Sequence, residues 1–215
     1  MQTLTEELIQ AGGSRRVLSH AQVARLLKGT PQRRYNLVNR ALRRGELLRL
    51  RRGLYVVSPV WQGQTPHPFV LAQAMQPGSY VSFETALSFH GWIPESAATT
   101  LSVTPERRRL QVDHAVFGLF RFFPLALHRP YSLEGVERVA FAGQTSLVAQ
   151  PLRALTDILC LRNLEGDEVQ ALPESMRIDS ERLRRLKPAA WRAVERAYAR
   201  PRTSAAIREL REAAS

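Results

Sequence analysis

Arg33, Asn36, Arg40, Arg43 and Arg44 follow one another at spacings of three, four, three and one residues within TPQRRYNLVNRALRRG, residues 30–45. Such side chains break no bonds. They present planar forks of N–H donors, the shape that fits guanine O6 and N7, adenine N6 and N7, or phosphate oxygens. At about 100° per residue the five fall within an arc of about 100°, with Tyr35, Val38 and Leu42 expected on the opposite, core-facing side. Arg34 and Asn39 belong to the same stretch. Arg15, Arg16 and Arg25 precede it, and Arg49, Arg51 and Arg52 follow it. Together they form a candidate duplex-DNA surface, the helix reaching base edges and the flanking arginines reaching phosphates or the minor groove.

Bond-making chemistry is harder to find. The five histidines, at 20, 67, 90, 114 and 128, show no metal-ligand spacing and no cysteine pair. Asp113-His114 falls on an expected exposed strand and reads as a solvated pair. Ser82 lacks the small-residue elbow of a nucleophile and reads as a helix cap. A phosphate loop would need glycines before Lys28, which are missing. No Asp-x-Asp occurs to hold two metal ions after Gly13-Ser14, so a nucleotidyltransferase is not expected. The sequence predicts no enzyme, no metal site and no cofactor.

The charge distribution supports a polyanionic partner. The chain has 215 residues and a net charge of +12. Residues 1–53 hold 12 Lys+Arg against 3 Asp+Glu, residues 54–179 hold 9 against 12, and residues 180–215 hold 10 against 4. Basic charge is thus gathered in two blocks separated by a slightly acidic middle. Cys160 is the sole cysteine, so an intrachain disulfide is impossible and a reducing cytoplasm is expected. No signal peptide or spanning segment is apparent, and no membrane partner is expected.

The elements that must hold the arginines read as follows. Leu4 to Ala11 predicts a first helix. Ser19 opens a second, through Leu27, with Ala21, Ala24 and Leu27 turned inward. Gly29-Thr30 makes a tight turn, and Thr30-Pro31 starts the arginine helix, which ends near Gly45. Leu47 to Leu50 and Leu54 to Ser58 predict two strands joined at Arg51-Arg52-Gly53. A helix followed by a basic hairpin is the arrangement of a winged helix-turn-helix. The expected domains are 1–58 for that unit, 59–68 as a proline-rich linker, and 69–215 for the rest. Within the last, 69–163 reads as mixed α/β and 164–215 as mostly helical. The fold class expected is α+β, with an N-terminal winged helix-turn-helix before a mixed α/β domain that ends in helices.

Four further stretches carry a resemblance: RRGLYVVSP at 51–59, YVSFETALSFHGWIPE at 80–95, LSVTP at 101–105 and QPLRALTDILCL at 150–161. With the helix-turn-helix they cover most of residues 15–163. In them the chain resembles the AbiEi-type antitoxins of type IV toxin–antitoxin, or abortive-infection, systems. The 80–95 segment is the most specific of the four. The family often has glutamate after the proline that opens the buried helix, where this chain has Leu152. The resemblance implies a repressor that binds inverted repeats in its own promoter. It also implies a C-terminal domain that counteracts a nucleotidyltransferase toxin without forming a stable complex with it. A stand-alone, ligand-responsive winged-helix regulator is the alternative, with apolar helices at 69–75 and 152–161 as pocket walls. A DNA-processing enzyme is the other.

Overall fold

A computed structural model describes the chain apart from residues 1–3, 11–12, 14–15, 28, 63–64, 96–97 and 215. The fold is mixed α+β and divides into two compact units. One comprises Met1–Met75 with Phe141–Gln144, the other Gln76–Ala140 with Thr145–Ser215.

The first unit begins with α1 (Leu4–Gln10), β1 (Leu18–Ser19), α2 (His20–Leu26) and α3 (Pro31–Arg43). It continues with β2 (Leu47–Arg51), β3 (Leu54–Val57), α4 (Pro59–Gln62) and α5 (Pro68–Met75). The three strands form one antiparallel sheet in the order β1-β3-β2, with Leu18 opposite Tyr55 and Leu47 opposite Val57. β1 was not expected, because two residues are too few for any alternation to register. Ser19 caps α2 through a reciprocal box: its hydroxyl accepts from Gln22 N, and the Gln22 side chain accepts from Ser19 N at 2.7 Å. Val23 and Leu27 are the buried residues here, whereas Ala21 is exposed and Ala24 half-buried, against expectation. Short alanines contribute little area, and Val23 and Leu27 take the inward positions while Leu26 stays exposed. Leu8, Leu18, Val23, Val38, Leu47 and Val57 form the centre of this unit's core.

α3 starts and stops where its end signals lie. Thr30 Oγ1 accepts from Arg33 N at 3.3 Å, with Pro31 at the first helical position. At the other end Gly45 N donates to Leu42 O at 3.1 Å and Glu46 N to Ala41 O at 3.0 Å. Gly45 sits at φ +67°. This paired closure around a left-handed glycine absorbs carbonyls that the helix leaves open and redirects the chain into β2. Glu46 is buried and accepts from Thr5 Oγ1 at 2.9 Å, which ties the exit of α3 to α1.

Residues 59–68 were expected to be a linker. Instead, Pro59–Gln62 forms a helical turn, and the unit runs on through α5, with Phe69, Val70, Leu71, Ala72 and Met75 buried.

The second unit contains β4 (Tyr80–Val81), α6 (Phe83–Phe89), β5 (Thr99–Thr104), β6 (Leu110–His114) and β7 (Gly118–Pro124). β8 (Val136–Phe141), β9 (Gln144–Ala149) and α7 (Pro151–Arg162) follow. α8 (Asp167–Ser175), α9 (Ser180–Arg184), α10 (Pro188–Arg196) and α11 (Pro201–Ala213) complete it. Its sheet runs β6-β7-β5-β4-β9-β8. β4 is antiparallel to β5 and parallel to β9, and β5 is parallel to β7. α7 is buried continuously from Leu152 to Cys160, as its largely apolar sequence predicts, and its burial takes Arg153, Thr156 and Asp157 inside as well. Trp191, Val194 and Tyr198 are buried on one stripe, again as the spacing predicts.

Candidate nucleic-acid interface

Among the described residues, Arg16, Arg25, Arg33, Asn36, Arg40, Arg43, Arg44, Arg49 and Arg52 all have exposed side chains. Arg15 lies outside the described residues, as does Lys28. α3 carries the densest group: Arg33, Asn36, Arg40, Arg43 and Arg44 share one exposed arc, while Val38 and Ala41 face the core. The helix contains no carboxylate at all. Arg44 meets Glu46 at 3.7 Å, a separation that adds little for so exposed a guanidinium. Gln32 Nε2 donates to Asn36 Oδ1 at 3.2 Å one turn apart, linking Asn36 to an amide just beyond the edge of that arc.

Three members of the sequence-based set are placed differently. Arg34 lies about 100° beyond the Arg33 edge, towards the core, and is half-buried, with its Nε out of solvent and unpartnered among the described residues. It is therefore not a member of the exposed arc. Asn39 is half-buried at the other edge. Arg51 is exposed, but its Nη1 donates to the Met75 carbonyl, which commits part of the fork to the protein itself. Arg52 occupies the turn before Gly53, whose φ of +79° is one that glycine adopts at no steric cost.

Tyr35 was expected in the core and is 60% exposed. The wheel places it about 60° from buried Val38 and about 20° from half-buried Leu42, close enough to be misassigned. Val38 and Ala41, whose side chains are shorter, take the position under the helix.

The second unit holds a polar cluster that sequence reasoning missed. Arg153 and Asp157, one turn apart on α7, are both fully buried. Asp157 Oδ1 accepts from Arg153 Nε at 3.0 Å and Tyr198 Oη at 2.6 Å. Its Oδ2 accepts from Ser82 Oγ at 2.6 Å and Tyr80 Oη at 3.0 Å. Every lone-pair direction of the carboxylate is thereby used. Arg153 also donates to the Glu134 carbonyl at 2.8 Å, the Ser132 carbonyl at 3.2 Å and Tyr80 Oη at 2.6 Å.

Burial, then the Asp157 charge, pushes the Tyr80 and Tyr198 phenols well above the ordinary tyrosine value. Burial pulls the Arg153 guanidinium down, but Asp157 and the two tyrosines outweigh it and hold the group above the usual arginine range. Ser82 therefore does not cap α6; its hydroxyl is taken by Asp157. Buried and hydrogen-bonded across four segments, the cluster fixes β4, α7 and the segment after α10 together. The signal was present in the sequence: an arginine and an aspartate four apart in an otherwise apolar helix must pair if that helix is buried.

Among the described residues, no three His, Cys, Asp or Glu side chains gather as a metal site would require. No helix there is long and apolar enough to cross a membrane. Compared with known proteins, the sequence matches no family model and no curated protein.

Proposed function

We propose that residues 1–58 act as a winged helix-turn-helix that binds duplex DNA and represses transcription. We propose further that the chain is an AbiEi-type antitoxin, its second unit counteracting a nucleotidyltransferase toxin. The order α1-β1-α2-α3-β2-β3, with its small antiparallel sheet, supports the first half. So does the short separation in sequence between the end of α2 at Leu26 and the start of α3 at Pro31.

The observation that carries the reading is the exposed arc of α3, where Arg33, Asn36, Arg40 and Arg43 stand with no acid on the helix to neutralise them. An α-helix of this width fits the major groove, and these forks match guanine and adenine edges. Arg52 at the hairpin turn, Arg16 before β1 and Arg25 on α2 then lie against phosphates. The antitoxin half draws on the four sequence stretches at 51–59, 80–95, 101–105 and 150–161.

Fluorescence anisotropy with duplexes from the region upstream of the gene tests the repressor half. Saturable binding to an inverted repeat, tighter than to scrambled duplex, is the expected result, and equal binding to both overturns it. Growth of cells expressing a neighbouring nucleotidyltransferase, with and without this chain, tests the antitoxin half. Rescue of growth is expected, and unrelieved arrest overturns that half alone.

A further inference from the structure

The exposed surface of α3 is not uniform. At 100° per residue, Arg33, Arg40 and Arg44 lie along one edge, Asn36 and Arg43 in the middle, and Tyr35, Asn39 and Gln32 along the other. One edge is therefore all guanidinium, and the other is uncharged. At that uncharged edge Tyr35 leaves a ring 60% exposed, and among the described residues it has no hydrogen bond or ring contact. On the side of Tyr35 away from the core lie three amides, Gln32, Asn36 and half-buried Asn39. An aromatic side chain is amphipathic, with an apolar face suited to a methyl group and a hydroxyl suited to a phosphate oxygen.

We infer that Tyr35 is a specificity-determining residue for DNA, its ring seated against a thymine C5-methyl in the major groove. Only the thymine methyl offers an apolar target on that surface, and the adenine paired with it presents N6 and N7 to an amide. Tyr35 with the adjoining amides therefore selects A·T pairs on one side of each half-site, while the Arg33–Arg40 edge selects guanine on the other. This rests on the DNA-binding reading of α3 given above and adds to it which base pairs the uncharged edge prefers.

The test starts from the duplex that the wild-type chain selects out of a random library. Each thymine in it is then replaced singly by deoxyuridine, which removes the methyl and leaves base pairing intact. The expected result is at least one thymine whose replacement weakens wild-type binding about fivefold yet changes Tyr35→Ala binding less than about twofold. Tyr35→Phe retains the sensitivity, because the ring and not the hydroxyl meets the methyl. Tyr35 is exposed, so circular dichroism spectra of both variants match the wild type. If Tyr35→Ala shows the same deoxyuridine profile as wild type, or neither shows any sensitivity, the assignment of Tyr35 is overturned while DNA binding stands. If the wild-type chain selects no duplex at all, the DNA-binding reading fails and this inference with it.

Discussion

Arg153 Nε lies 3.0 Å from Asp157 Oδ1, and neither side chain has any contact with solvent. The pair holds because each charge is met by further polar groups: the carboxylate by three hydroxyls, the guanidinium by two carbonyls and a phenol. Stripped of those partners, two buried ions would not recover their loss of hydration.

Removing one side of the pair should therefore be severe. Asp157→Ala leaves a guanidinium buried without its counter-charge and should destabilise the chain by about 3–5 kcal/mol, read from urea unfolding. Replacing both residues by aliphatics, Arg153→Met with Asp157→Leu, should cost markedly less. Equal losses from the single and double variants would show that charge pairing is not what the cluster supplies.

Alkaline pH should weaken the fold through the same cluster. In the unfolded chain Tyr80 and Tyr198 release their protons near 10.0, whereas in the folded chain they hold them well above that. Over that window the native state binds more protons, so stability falls as pH rises above about 10. Urea midpoints at increasing pH should decline more steeply for wild type than for Tyr198→Phe. Parallel slopes would count against the coupling.

At the DNA surface, neutralising about six phosphates gives a log–log salt slope near −5 for operator binding. A nearly flat salt response would remove the electrostatic basis of the proposed interface. Arg40→Ala should narrow the gap between operator and random duplex by about 1–3 kcal/mol. Arg52→Ala should weaken both duplexes alike, and anisotropy titrations on each separate the two behaviours.

Gly45 closes α3 at a left-handed angle, φ +67°, and a Cβ built there meets no other atom within 4 Å. Gly45→Ala therefore isolates backbone preference from crowding, and should destabilise the chain by about 1 kcal/mol. An unchanged urea midpoint would mean that the closure contributes nothing.

The N-terminal unit was largely legible because its information is local. Ser19 with Gln22, Thr30 with Pro31, and Gly45 after Arg44 mark helix ends within a few residues of themselves. Tyr35 was not legible, since several side chains competed for one buried stripe and periodicity does not say which fits. Nor was Ser82: beside a helix start its hydroxyl reads as a cap, and only the fold reveals a carboxylate 75 residues away. Arg51 is a similar case, its contact with the Met75 carbonyl depending on where α5 packs. Contacts at long sequence separation carry no spacing rule, so that class of interaction stays hidden until the elements are assembled.

Tyr198 has a consequence for how the basic residues 180–215 can be studied. Because its hydroxyl seals Asp157 from a segment 41 residues downstream, cutting the chain before α10 would expose an ionic centre and unfold the very domain under test. The arginines of α9, α10 and α11 must be assayed by substitution in the intact chain, since deletion would confound a lost surface with a lost core.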